Sequence, residues 1–548
     1  MTVLLLLLLA VLTPLLLAVV PAWRPAARLA PWAPLPALLL AVAAPAGTVL
    51  ELPWLLLGTR LGLDETGRVF LMLTALVWLL AGWFARGYLA DDARQARFRG
   101  FFLATQAGNI GLCLSLDAGS FYLGFSLMTF AAYGLVVHSG SAEARRAGAV
   151  YLVMAVLGEA ALLAGILLAV QAGDGGWSFE VFSQGEVGGP AAALLLLGFG
   201  VKVGLPLLHM WLPLAHPVAP VPASAVLSGV MLKAGVLGWL RFLPLGVQAL
   251  PEAGAALMLA GLAGMFFGVL AGLAQRDPKV LLAYSSISQM GFLALGVGAG
   301  LLVPGAWPML WPAVALYALH HALAKSALFL GVGLVARQGA SAWVLAGLAL
   351  PALALAGAPL TSGMLAKLEL KAGLAALSPA WGGALTVLLP LAAMGTALLM
   401  LRLFVLLAGR QADGGAKAGL LLPWVLLLLA VAGLPWWQGG VSGKVLTPGT
   451  LFDGTWPLLA ALALWGLART CCARWPVVPP GDLVVWLERW LVGLRDSSRS
   501  WRLSVPALLG SGAGDGGLRR WERWLGAWPL ASTLWLVLLA GLILLLAW

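Results

Sequence analysis

Charged side chains are scarce in this chain. Asp, Glu, Lys and Arg supply 10% of its 548 residues, against about 25% in a soluble domain, which excludes a water-soluble globular fold. Cysteine is scarcer still. The three present, Cys113, Cys471 and Cys472, form no CxxC pair, no CxxCH haem site and no metal-ligand spacing. Nor is there a soluble domain in which a GxGxxG turn would open a nucleotide-binding helix. No bound cofactor, no metal site and no catalytic redox centre are expected within the chain. Acidic residues are outnumbered 21 to 32, for a net charge of +11. In so apolar a chain that excess reads as basic loops on one membrane face and contact with anionic lipid, not as a nucleic-acid surface.

What fills the sequence is hydrophobic: 62% of residues, with a mean hydropathy of +0.99. The apolar runs are solid for about 20 residues, a helix's span, and do not alternate as barrel strands do. The chain reads as an all-α polytopic membrane protein. Roughly 16 spans are expected, near 3–20, 32–57, 69–85, 98–116, 119–137, 148–170, 190–211, 223–243, 254–274, 280–303, 308–336, 343–375, 383–408, 419–437, 454–470 and 527–548. The seventh and twelfth are interrupted. The first run lacks a basic leader and reads as a helix rather than a cleaved signal. Basic residues follow the odd-numbered spans: Arg24 and Arg28, then Arg86, Arg94, Arg97 and Arg99, then Arg145 and Arg146, Arg276 and Lys279, Arg337, and Arg410 and Lys417. The loop after span six is acidic, with Asp174, Glu180 and Glu186. Odd loops are therefore expected in the cytoplasm and both termini outside. Arg60 and Arg68 run against this and are expected to be offset by Asp64 and Glu65. Tryptophan and arginine alternate through 475–523, a pattern suited to helices along a membrane interface. That segment reads either as an anchor or as a dock for a neighbouring subunit.

The informative residues are the charges kept inside apolar runs. Each costs about 2.5–3.5 kcal/mol to insert, so repeated use argues for function. At about 1.5 Å per residue, Lys202 lies about 18 Å into span seven, Glu159 about 16 Å into span six and Lys233 about 15 Å into span eight, all near mid-depth. His321 and Lys325 share one face of span eleven at i,i+4. Lys367 follows a second interruption marked by Gly357, Pro359 and Gly363. Broken backbone survives at membrane depth only when buried in protein or lining a watery cavity. A row of mid-membrane lysines, histidines and a carboxylate can pass protons as neighbouring charges change. Structural readings stand beside this one. A buried lysine such as Lys202 or Lys325 also serves in an ion pair or by snorkelling. His209 and His216, beside the first break, read equally as relays or as helix-end partners. Tyr284, Ser285, Ser286 and Ser288 read as helix-to-helix contacts.

Four stretches in register resemble a known family: KVGLPLLHMWLPLAHPVAPVPASAVLSGVMLKAGVLGWLR (202–241), DPKVLLAYSSISQMG (277–291), HALAKSALFLGVG (321–333) and LAGAPLTSGMLAK (355–367). They look like the proton-conducting membrane subunits of respiratory complex I, the Mrp-type cation/proton antiporter subunits and the membrane subunits of group 4 hydrogenases. The resemblance runs over about residues 60 to 440. It implies a 14-helix core with two inverted five-helix repeats, each with a broken helix, and about two extra C-terminal helices beyond it. On this chain that places N-terminal helices at 1–118, repeats at 119–245 and 246–408, and core helices at 409–470. A cytoplasmic amphipathic segment at 471–526 and a last membrane helix at 527–548 would follow. It further implies no cofactor, a hydrophilic axis through Lys202, Lys233, His321, Lys325 and Lys367, and residence in a larger complex of membrane subunits in a bacterial-type plasma membrane. The ions implied are protons, with Na⁺ as a second candidate, and the assembly would be NADH-quinone oxidoreductase-like, Mrp-type or hydrogenase-like. One position departs. The family's span-five glutamate is replaced by Ser126 in FYLGFSLMTFAAY (121–133). Either the relay has lost its first acid and the chain is a transport-inactive scaffold, or Glu159 takes over as partner of Lys202. The second is the expectation.

Overall fold

A computed structural model describes residues 2–471, 478–481 and 485, apart from 46, 57, 174, 185, 186, 413–417 and 440–445. Apart from 471, 478–481 and 485, the amphipathic tail lies outside the described residues, as does the last expected span. Among those described, ten helices are long and apolar enough to cross a membrane, and four shorter apolar helices accompany them.

In chain order the main helices are α1 (Thr2–Val19), α2 (Leu35–Ala43), α3 (Glu65–Tyr88), α4 (Gln95–Leu114), α5 (Ala118–Val136) and α6 (Ala142–Ala172). The first broken span is α7 (Gly189–Val203) and α8 (Trp211–Val218). Then come α9 (Val221–Phe242), α10 (Pro251–Leu273), α11 (Pro278–Leu302) and α12 (Trp307–Gln338). The second broken span is α13 (Ala342–Ala356) and α14 (Ser362–Leu374), followed by α15 (Pro379–Leu407), α16 (Leu421–Gly433) and α17 (Pro448–Cys471). Starts are set by side-chain caps. Asp64 accepts from Gly67 N at 2.7 Å, Asp117 from Ser120 N at 2.7 Å, Ser141 from Ala144 N at 3.1 Å and Asp277 from Lys279 N at 2.7 Å. Each fills donors that a helix N-terminus leaves open.

Layering follows from burial. The apolar stretches of α11 and α12 are wholly buried and that of α9 nearly so, whereas α10 and α15 turn about half their surface outward. Leucines such as Leu259 and Leu270 face out, at 58% and 70% exposure, as a lipid-facing shell requires. The inner helices α9, α11 and α12 thus carry their polar residues away from lipid.

The second expected span is shorter than its leucine content suggests. Its helix ends at Ala43, and Thr48–Leu52 pairs antiparallel with Thr59–Leu63 as a hairpin, Leu50 opposite Leu61. Pro45 and Pro53 deny the stretch a continuous helix, and Leu50 and Leu52 share one face of a strand instead. The hairpin also corrects the expected offset of the stray arginines. Arg60 pairs with Glu51 at 3.4 Å, and Arg68 donates to the carbonyls of Ala41 and Ala44 at 2.8 and 2.6 Å.

Asp64 is taken by Arg241, which grips both its oxygens, one at 2.7 Å, and so ties the start of α3 to the end of α9. Burial pushes the Asp64 carboxyl up, but the Arg241 guanidinium and the Gly67 amide outweigh it and hold the group below the usual carboxylate range. A carboxyl held low in the folded state stabilises fully above its ordinary pKa, and that contribution fades as pH falls through the lowered value. Acid titration of the detergent-solubilised protein should therefore lower its melting temperature below about pH 4, and Asp64→Asn should remove that part of the acid dependence.

The two breaks are built alike. Gly204-Leu205-Pro206-Leu207 closes α7 and Gly357-Ala358-Pro359-Leu360 closes α13. Gly204 and Gly357 cap the helices at φ of 80° and 87°, and Leu207 and Leu360 follow at 70° and 64°. Glycine adopts that geometry freely, whereas leucine does so at a cost of about 1–3 kcal/mol. The same strain at the same offset marks two copies of one device.

Candidate functional site: a buried chain of lysines, histidines and one carboxylate

At the first break, Lys202 stands one residue before the end of α7 and Glu159 lies in the middle of α6; both are buried. They make no direct ion pair among the described residues but line one cavity of about 20 Å³ with Phe125, Thr129, Tyr151 and Trp211. A space of about 10–15 Å³ suffices for one water. Ser126, standing where the resemblance places a glutamate, donates its hydroxyl to Glu159 Oε2 at 2.6 Å. Glu159 Oε1 has no protein hydrogen bond among the described residues. The rings of Phe125, Tyr151 and Trp211 surround Lys202 Nζ at 5.2, 5.8 and 6.0 Å. Aromatic faces favour a cation without neutralising it. The rings are themselves fixed: Tyr151 donates to the Thr129 carbonyl at 2.7 Å and Trp211 to that of Val201 at 2.8 Å. Glu159 and Lys202 attract each other electrostatically across the cavity.

The second group lies where α9, α11 and α12 meet. α9 contains a π-helical turn, Leu227–Met231. Such a turn shifts the carbonyl partners by one residue, and Lys233 Nζ donates to the Ser228 carbonyl at 2.7 Å. Lys325 Nζ donates to the Leu282 carbonyl of α11 at 2.8 Å, which Ser286 Oγ also reaches at 2.9 Å. Ser286 meets Ser228 at 2.8 Å, closing a hydroxyl bridge from α11 to α9. Lys233 and Lys325 repel each other, and His321 feels both. Neither ring nitrogen of His321 has a protein hydrogen bond among the described residues.

At the second break, Lys367 reaches back from α14 to the last carbonyls of α13, Leu355 O at 3.0 Å and Ala356 O at 2.9 Å, with Phe292 under its ammonium at 5.5 Å. The negative end of a helix is a natural seat for a cation. His320 joins this group: its Nδ1 meets Ser362 Oγ at 2.8 Å, and it feels both Lys367 and Lys233. Sequence reasoning singles out only His321 of the His320–His321 pair. Adjacent positions point about 100° apart on a helix, so one histidine faces the Lys233 side and its neighbour the Lys367 side.

His209 and His216 both sit by the first break. The His209 ring lies 4.8 Å from Phe267 and 6.4 Å from Tyr284, and His216 stacks on Phe329 at 4.6 Å. Below His216, Lys279 donates to the Pro217 carbonyl at 3.2 Å and to that of Ala219 at 2.5 Å. Sequence reasoning treats Lys279 only as a loop charge. It borders a vestibule of about 650 Å³ lined also by Asp92, Arg94, His138, Arg337 and Arg410. These residues come from the ends of spans three, five, nine, eleven and thirteen, so five of the odd-numbered loops border one vestibule.

The predicted relay residues therefore fall into three groups: Glu159 with Lys202, Lys233 with His321 and Lys325, and Lys367, which stands beside the unpredicted His320. No hydrogen bond or ion pair among the described residues joins the first group to the second. Their helices do pack closely. A Cβ at Gly235 of α9 would lie 2.8 Å from the Phe199 carbonyl of α7.

Residues 115–392, just over half of the chain, match the family described as NADH:quinone oxidoreductase/Mrp antiporter, TM. The chain belongs to this family. This integral membrane protein of the NADH:quinone oxidoreductase/Mrp antiporter family is 31% identical over 292 residues to Hydrogenase-4 component B of Escherichia coli K12, covering 50% of this chain and 43% of that one. It is 28% identical over 343 residues to a Na(+)/H(+) antiporter subunit of Alkalihalophilus pseudofirmus, covering 57% and 66%. The chain spans about half the length of the curated relatives it matches. In fold it resembles a chain of the Mrp complex from Dietzia sp. DQ12-45-1b, with a TM-score of 0.69 and 24% identity over 99% of this chain and 62% of that one. The antiporter-like fold that the resemblance implies is thus the fold of this protein.

Proposed function

We propose that the chain is a proton-translocating subunit of a larger membrane complex, with Glu159, Lys202, Lys233, His321, Lys325 and Lys367 as its relay and His320 as a further member. The observation that carries this reading is the Glu159–Lys202 arrangement. A carboxylate positioned by Ser126 faces a lysine across room for one water, so a proton can pass between them while neither ion is locked in a pair. Ser126 thereby supports transport rather than arguing for an inactive scaffold, since the acid has moved from α5 to α6. His209, His216 and Lys279 would lead from the vestibule toward Lys325. We take 119–245 and 246–408 as the two inverted repeats, each centred on a Gly-x-Pro-Leu break. The vestibule face, which gathers the basic loops, is the cytoplasmic side by the positive-inside rule, and the membrane is a bacterial-type plasma membrane. Partners are other membrane subunits, and the driving force is redox chemistry in them or the ion gradient itself, worth about 2.3 kcal/mol per charge per 100 mV. No cofactor or catalytic redox step is assigned to this chain.

Lys202→Ala tests the proposal. In membrane vesicles carrying the assembled complex, proton flux should fall at least about tenfold, the cost of about 1.4 kcal/mol in a barrier, while the complex still assembles. Unchanged flux with intact assembly would favour the scaffold.

A further inference from the structure

We infer that His138, held by Asp92 in the wall of the vestibule, takes up protons from the vestibule water and passes them inward. The inference rests on the transport reading above and adds the residue at which protons enter.

Of the five histidines in the chain, His209, His216, His320 and His321 stand along the relay or beside the first break. His138 is the fifth and lies just after α5. Its side chain is 5% exposed and lines the vestibule. Nε2 lies 3.0 Å from Asp92 Oδ2, and Phe98 packs edge-on against the ring at 5.3 Å. The backbone here is pinned. Arg94 donates to the carbonyls of His138 and Ser139 at 3.3 and 2.7 Å, and Arg97 to that of His138 at 2.5 Å. Nδ1 has no protein hydrogen bond among the described residues.

Asp92 sets the state of the ring. Burial pushes its carboxyl up, but the bonds from the His138 ring and the Arg94 amide outweigh it and hold the group below the usual carboxylate range. As a carboxylate it accepts from Nε2–H, which leaves Nδ1 as the basic atom. A proton moving from water to Nδ1 makes an imidazolium whose charge Asp92 offsets. Its return to water, on the inward side, restores the neutral ring, and only N–H and O–H bonds form and break.

The surroundings give this pair its importance. The charged groups about the hollow are Asp92 and Arg94 before α4, Asp277 and Lys279 at the start of α11, Arg337 at the end of α12 and Arg410 after α15, with Arg97 behind the His138 carbonyl. Asp277 is committed to the Lys279 and Val280 amides at 2.7 and 3.1 Å. The cations repel an arriving proton, and Asp92 is the carboxylate in contact with a base. Histidine is the side chain that exchanges protons in the physiological range. Lys279, which leads toward His216, lines the same hollow, whose volume of about 650 Å³ has room for many waters.

The test uses inverted vesicles carrying the complete complex, energised by its own driving reaction, so that the medium bathes the vestibule. The initial rate of charge movement is followed against medium pH. His138→Gln places an amide nitrogen near the position of Nε2, keeps the bond to Asp92 and carries no exchangeable charge. It should assemble and be at least about fivefold slower above about pH 7. In His138→Ala, imidazole in the medium should restore most of the lost rate while leaving wild type unchanged. A glutamine variant as fast as wild type at every pH, or an alanine variant that imidazole does not rescue, would make His138 a structural clamp and overturn the inference. Should neither assemble, Asp92→Asn keeps an acceptor for the ring but removes the charge. Its rate should then fall at a pH lower by about 1 unit, and an unchanged profile would overturn the inference. Absence of charge movement in wild type overturns the transport reading itself, and the inference with it.

Discussion

Glu159→Gln should reduce proton flux at least about tenfold and destabilise the protein by about 1–3 kcal/mol. Both effects share one cause. The amide keeps the size of the carboxylate, and its carbonyl can still accept from Ser126, so packing is preserved. What disappears is the negative charge facing Lys202. Removing one of two buried groups that face each other across a cavity costs stability, because the survivor stays desolvated with less to compensate it. Lys202 has aromatic faces around it but no protein hydrogen bond among the described residues to replace Glu159. In the proposed relay, the change removes the acid that faces Lys202. Flux in vesicles and thermal unfolding in detergent read the two effects separately. Exchanging the pair, Ser126→Glu with Glu159→Ser, should restore part of both, since either helix can present a carboxylate to the same cavity. Failure of that exchange, with Glu159→Gln as active as wild type, would remove Glu159 from the mechanism.

Gly363→Ala should be among the most damaging single-methyl changes in the chain. A Cβ at Gly363 would run into the Ala354 carbonyl oxygen and lie 3.0 Å from His320 Cε1. The first is rigid backbone, so α14 must move away from α13 rather than a side chain yielding. Overpacking of this kind costs about 1–3 kcal/mol and at times more, and the rigid neighbour puts this case at the upper end. The displacement also acts on function. Lys367 reaches Leu355 and Ala356 from α14 across the same gap, and His320 bonds Ser362 next door. A lowered melting temperature together with flux reduced at least about fivefold is expected, about 1 kcal/mol by the barrier relation. A nearby control, Gly383→Ala on the open face of α15, meets nothing within 4 Å and should leave both unchanged.

The sequence alone determined that this is a polytopic helical membrane protein, that two of its spans are broken, and that Glu159, Lys202, Lys233, His321, Lys325 and Lys367 are charges held at a cost. Those conclusions were legible because insertion into hydrocarbon is priced residue by residue, and proline and glycine interrupt a helix locally. The resemblance also raised the question posed by Ser126, which stands where the family carries an acid. The hairpin at 48–63 was hidden, because its leucines satisfy a helix and a strand equally and only pairing decides between them. Which partner each ion meets depended on the rotation and depth of neighbouring helices, and so belonged to the tertiary structure. Only packing put Ser126 on Glu159, turned His320 toward Lys367, gave Lys325 a carbonyl of α11 and left one water's space beside Lys202. Local chemistry fixes the cost of a buried charge; long-range contact fixes what that charge can do.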